Sequence, residues 1–133
     1  MAIDLQIRNG LLEAVCHGKL TRKDLELTRT ALCELEARLE VTPDRISDLT
    51  VADVSDLRAK DMVVFAEYRR GVKLKNKIKS AIITPKGSVQ HGLARMFIAY
   101  NQNPDIEIMI FHDSASCFCW LGREAGAVKP PNT

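Results

Sequence analysis

The sequence predicts an α/β fold in which strands and helices alternate, and three observations carry that prediction. An Asn9-Gly10 step separates two short apolar runs, apolar residues recur at helical spacing in later segments, and short apolar runs stand between those segments. Helical crossovers between successive strands make the later strands parallel. The expected order is two strands, helix, strand, helix, strand, helix, strand, helix.

Each element has a local reason. Leu5 and Ile7 alternate before Asn9-Gly10, and Leu12 and Ala14 resume after it, the short-range signature of an antiparallel hairpin. From Thr21 the period changes, with Leu25, Thr28, Ala31 or Leu32, and Leu35 on one face and Thr21 with Asp24 placed as N-cap and third residue. A helix of about five turns follows, closed before Thr42-Pro43 because proline biases its predecessor out of the helical region. Arg45 to Leu49 reads as a short strand and Thr50 to Ser55 as a loop.

Ser55 stands beside the expected start of a second helix, whose stripe is Ala59, Met62, Phe65, Ala66 and Arg69 and whose stop is Gly71. The run Ser80 to Thr84, with Ala81, Ile82 and Ile83 at its centre, ends at Pro85 as a strand buried on both faces does, and its expected place is central in the sheet. Lys86-Gly87-Ser88 opens a third helix marked by Val89, Leu93, Met96, Phe97 and Tyr100 and closed by Asn101 to Pro104. Ile106 to Phe111 is the last strand, and Asp113 or Ser114 caps a final helix that ends at Gly122.

Composition bounds the class. At 133 residues the chain suits one domain, and 27% charged with 46% apolar residues argues against extended disorder. No run approaches the roughly 18 apolar residues of a membrane-spanning helix. The start, Met1-Ala2-Ile3-Asp4, lacks the basic and apolar regions of a secretory signal, so a cytoplasmic location is expected. Charge is unevenly spread: no acid occurs from Tyr68 to Pro104, a stretch carrying Arg69, Arg70, Lys73, Lys75, Lys77, Lys79, Lys86 and Arg95.

The region from Lys79 to Leu121 resembles the bacterial SpoIIAA-like family. The resemblance rests on Arg45-Ile46-Ser47-Asp48-Leu49, on Ala81-Ile82-Ile83-Thr84-Pro85 followed by Gly92-Leu93-Ala94-Arg95-Met96, and on Phe111-His112-Asp113 followed by Trp120-Leu121. It implies the fold of STAS domains, related to SEC14 lipid carriers: a mixed sheet of about five strands with about four helices, as one domain over 1–125 with a flexible tail over 126–133. STAS domains serve mainly as protein-interaction modules, some switched by phosphorylation of a Ser or Thr at a helix start. The expected role is therefore a non-catalytic interaction or regulatory module with an unidentified protein partner or a second copy of the chain. The alternative is a carrier or sensor of a small amphipathic or lipid ligand. An apolar cavity between helices and sheet, with a co-purified ligand in a native mass spectrum, favours the carrier, and a fully packed core with an exposed apolar helix face favours the interaction module.

Two sets of residues are candidates for chemistry. Ser55, in Asp53-Val54-Ser55-Asp56, lies nearest the STAS phosphorylation position, but Asp56 opposes an incoming phosphate and an ordinary helix cap is the favoured reading. Lys86, Gly87, Ser88, His91 and Arg95 surround a helix start after a buried strand, where anions bind in open α/β sheets, although the run also reads as a capped helix with a solvated basic face.

The basic run Arg69 to Lys79 lacks the interleaved aromatics that stack on bases, so nucleic acid is not expected and a solvated connection is. Cys117 and Cys119, two apart on a helix, point to opposite sides and do not share a metal with His112, while Cys117 shares core spacing with Trp120 and Leu121. Cys16 and His17 face opposite ways on a strand and make no nucleophile and base pair. No catalytic set, metal site or cofactor is expected.

Overall fold

A computed structural model describes residues 2–123. The expected tail over 126–133 lies outside the described residues. In chain order the elements are β1 (Ile3–Arg8), β2 (Leu11–Cys16), β3 (Gly18–Lys19), α1 (Arg22–Arg38), β4 (Asp44–Asp48), β5 (Ala52–Asp53), α2 (Ala59–Arg70), β6 (Ile78–Ile83), α3 (Val89–Asn101), β7 (Ile106–Phe111) and α4 (Ser114–Trp120).

The first hairpin forms as its turn dictates. Asn9 and Gly10 have φ of 50° and 73°, the two positive angles of a two-residue turn that matches strand twist, and Arg8 pairs with Leu11 across it. Thr21 caps α1 through a full capping box with Asp24. Ser88 caps α3 and Asp113 caps α4, each through its side chain.

Five strands make a mixed sheet in the order β1-β2-β4-β6-β7. Only β1 runs antiparallel to its neighbour; β2, β4, β6 and β7 are parallel. The strand containing Ser80 to Ile83 is paired on both sides, although β4 is the middle strand. Helix α2 packs against both α1 and α3, whereas α4 contacts β6 and β7 and closes a separate core of Leu11, Ile46, Ala81, Ile83, Cys117, Phe118 and Leu121. The parallel strands are thereby covered on both faces, as such strands require.

Two details depart from the sequence reading. Gly18–Lys19 and Ala52–Asp53 form a separate two-stranded parallel ribbon, too short for any periodic signal. The helix-cap reading of Ser55 is corrected: α2 begins at Ala59 with Arg58 as its N-cap, where the Asp61 carboxylate accepts from the Arg58 N–H at 2.9 Å. Ser55 instead donates both its N–H (2.9 Å) and its hydroxyl (2.6 Å) to Oδ1 of Asp53, an Asx turn that competes with helix formation. Gly71 does follow α2, but with an ordinary φ of −83°.

Candidate functional site

Side chains alternate between faces along each strand, so every second residue of the sheet looks toward α1, α2 and α3. Pairing aligns these residues in rows. Leu12 lies beside Arg45 and Arg45 beside Ser80, while Ala14 lies beside Ser47 and Ser47 beside Ile82. Ala14, Ser47 and Ser80 are small, and they stand where large aliphatic residues would ordinarily fill the space beneath the helices. The result is a cavity of about 130 Å³ between sheet and helices. Leu25, Leu32, Met62, Phe65, Leu93 and Phe97 close it from the helix side, with the Phe65 and Phe97 rings 5.5 Å apart.

One end of this cavity is charged. Arg45, Arg69 and Ser80 line it there, at the amino ends of β4 and β6 and the carboxyl end of α2. Glu36 of α1 joins the two arginines. Its Oε1 accepts from Nη1 of Arg69 at 3.0 Å, and its Oε2 accepts from Nη2 of Arg45 at 3.0 Å and from Nη2 of Arg69. Exposure is 8% for Glu36, 7% for Arg45 and 2% for Arg69, so the trio is withdrawn from water. Burial pushes the Glu36 carboxyl up, but the hydrogen bonds and charge of Arg69, and then of Arg45, outweigh it and hold the group below its ordinary value. Arg45 is shifted down by burial first and by the Arg69 charge second, with Glu36 and Asp44 opposing. Two guanidinium groups against one carboxylate leave positive charge in excess, and desolvating such charge costs several kcal/mol per ion unless it is well paired.

The overall likeness is to a solved structure. No family model matches the chain, nor does any curated protein. An uncharacterized protein of the DUF3478 family with a SpoIIAA-like fold, from Shewanella loihica PV-4, matches over 90% of this chain and 92% of its own, at 25% identity and a TM-score of 0.57. The chain has the SpoIIAA-like fold.

Within that SpoIIAA-like fold the residues singled out from sequence are dispersed. Ser55 is exposed on the connection before α2, three residues ahead of the N-cap Arg58. Of the five residues around Lys86, the structure brings together Ser88 and His91: the Ser88 Oγ accepts from the His91 N–H at 3.1 Å and donates to the Pro85 carbonyl at 2.6 Å. Lys86, Gly87 and Arg95 are exposed. His91 turns toward Thr84 and His112 instead, with Nδ1 at 3.4 Å from the Thr84 hydroxyl and the two imidazoles 5.2 Å apart. His112 donates from Nδ1 to the Thr84 carbonyl at 2.9 Å.

Among the described residues no group of three or more His, Cys, Asp or Glu is placed to hold a metal ion, and no helix is long and apolar enough to cross a membrane. Cys117 is buried and Cys119 exposed, as their spacing implies. Burial, followed by nearby carboxylates, pushes the thiols of Cys16 and Cys117 up to about 12.

The basic stretch is partly structural. Lys75 donates to the carbonyls of Ala37 (3.1 Å) and Leu39 (2.6 Å) at the end of α1, where the helix dipole favours a cation. Lys79 donates to the Trp120 carbonyl at 3.1 Å and lies 5.2 Å from the centre of its ring. Arg69 belongs to the buried trio, while Lys73 and Lys77 are exposed.

Glu36 and Arg45 were not singled out as site residues, yet a signal for Glu36 exists. Leu25, Thr28, Leu32 and Glu36 are spaced by three or four and therefore share one helix face. Arg45 carries no such signal, because the next residue on its side of the strand, Ser47, is also polar and alternation therefore marks no buried face there.

Proposed function

We propose that this protein is a non-catalytic binding module that takes a small, mainly apolar molecule between its sheet and its α1–α3 layer. The observation that supports this reading is the cavity of about 130 Å³. An apolar cavity of about 150 Å³ is large enough to stay dry and to bind a benzene-sized molecule. That volume favours a ring or short chain over a two-chain lipid, and it favours a carrier or sensor over an interaction module acting through its surface alone. The exposed large apolar residues support the same preference. Val64 and Tyr68 share a face of α2, where the Arg29 guanidinium covers the Tyr68 ring, while Val41, Val51, Val89 and Met109 stand on separate elements and connections.

A calorimetric titration with pentan-1-ol tests the proposal. Saturable binding to the wild-type chain, lost in a folded Ser47→Leu variant whose new side chain fills the cavity, is the expected result. Absence of saturable binding, or binding unchanged by the filled cavity, overturns it.

A further inference from the structure

Three buried side-chain polar atoms lack a hydrogen-bond partner among the described residues: Thr28 Oγ1, Thr42 Oγ1 and Arg45 Nε. Two of those three residues, Thr28 and Arg45, line the cavity. Buried polar atoms are nearly always paired, so the coincidence of two unpaired donors with one cavity requires an explanation. Thr28 is 5% exposed and Arg45 7% exposed, leaving water little access to either residue.

The charge around them has a sign. Arg45 and Arg69 share the single carboxylate of Glu36. The other acid whose charge reaches Arg45 is its neighbour Asp44, which accepts from the Lys79 N–H at 2.8 Å and, as the adjacent strand residue, looks to the opposite face of the sheet. The helix-facing side of Arg45 therefore carries uncompensated positive charge at the end of an apolar space.

The geometry points to a small molecule with a carboxylate head on a short apolar body, its head accepting from Arg45 Nε–H and Thr28 Oγ–H and its body against Leu12, Ile82, Leu93 and Phe97. This rests on the cavity being a binding site, and it adds the chemical class of the occupant. An anionic oxygen supplies the acceptor that both donors lack and offsets the charge that Glu36 leaves uncompensated. A neutral apolar molecule supplies neither.

Pentanoate and pentan-1-ol, matched in carbon number and differing in the head, provide the test. Binding of each to wild type, Arg45→Met and Thr28→Val is measured by titration calorimetry. Pentanoate is expected to bind wild type about tenfold or more tighter than pentan-1-ol, in keeping with a hydrogen bond to a charged group. Arg45→Met is expected to remove that preference while leaving pentan-1-ol affinity within about twofold, and Thr28→Val, which keeps every charge, to reduce it in part. Equal affinity of wild type for the two molecules overturns the carboxylate assignment and leaves the cavity reading standing. Failure of both to bind overturns the cavity reading itself. A pentanoate preference that survives in Arg45→Met overturns the role of Arg45; if that variant does not fold, an unchanged preference in Thr28→Val overturns the assigned head site.

Discussion

Arg45 donates from Nη2 to Glu36 at 3.0 Å while its Nε finds no partner among the described residues. Glu36 is meanwhile held by Arg69 through both of its carboxylate oxygens. The trio is therefore unequal: Glu36 is its hub, and Arg45 is its least satisfied member. That inequality predicts opposite consequences for two substitutions. Glu36→Gln leaves two buried arginines without a carboxylate and is expected to cost about 3–5 kcal/mol. Arg45→Met keeps the Glu36–Arg69 pair, removes the unpaired Nε and is expected to change stability by less than about 1.5 kcal/mol in either direction. Urea unfolding of the two variants checks the contrast, and equal losses would contradict it.

The same hub sets an acid limit on stability. Glu36 titrates below its ordinary value of 4.5. Asp24 titrates below its ordinary value of 3.8, chiefly because the Thr21 N–H bonds to its carboxylate. A carboxyl whose folded-state value is depressed contributes stability above its unfolded value and loses that contribution as pH falls through the folded value. Stability is thus expected to hold between pH 7 and about 5 and to drop below about 4.5. Urea midpoints measured across pH 3–7 check this, and the steepness below 4.5 is expected to lessen in Glu36→Gln.

At the start of α1, Thr21 and Asp24 satisfy each other's backbone donors, with the Asp24 N–H bonding to Thr21 Oγ1 at 3.3 Å and the Thr21 N–H to Asp24 Oδ2 at 2.9 Å. Thr21→Ala is expected to cost about 1 kcal/mol, and Thr21→Ser to restore most of it. Thermal unfolding of the pair distinguishes loss of the cap from loss of the threonine methyl.

The thiols divide by burial. Cys33 and Cys119 are exposed, while Cys16 and Cys117 are buried and held at about 12. At pH 8 an alkylating reagent is expected to modify Cys33 and Cys119 within minutes and to spare Cys16 and Cys117 until denaturant is added. Peptide mass spectrometry reads the order, and early modification of Cys117 would contradict the packing of α4 on the sheet.

Much of this fold was legible because its signals are local. Asn9-Gly10 specifies a hairpin by its two positive φ angles, Thr21 with Asp24 marks a helix start, and the apolar Ala81-Ile82-Ile83 run in β6 marks a strand covered on both faces. The cap of α2 was misplaced because Ser55 bonds to Asp53, a choice between two equally local partners that residue type alone does not decide. The ribbon of Gly18–Lys19 with Ala52–Asp53 was missed because two residues show no period. The cavity and its charged end were illegible for another reason. They depend on which residues of β2, β4 and β6 fall side by side, and Ala14, Ser47 and Ser80 are individually unremarkable until register aligns them with Arg45.

The most direct test of the central claim is a methyl-resolved nuclear magnetic resonance titration of the full chain with pentan-1-ol. Leu12, Ile82 and Leu93 line the cavity, whereas Leu11 and Ile83 sit in the core under α4. Saturable shifts at Leu12, Ile82 and Leu93, with Leu11 and Ile83 unmoved, are the predicted result. No saturable shift, or equal shifts on both faces of the sheet, would contradict the claim that this SpoIIAA-like fold receives a ligand between its sheet and its α1–α3 layer.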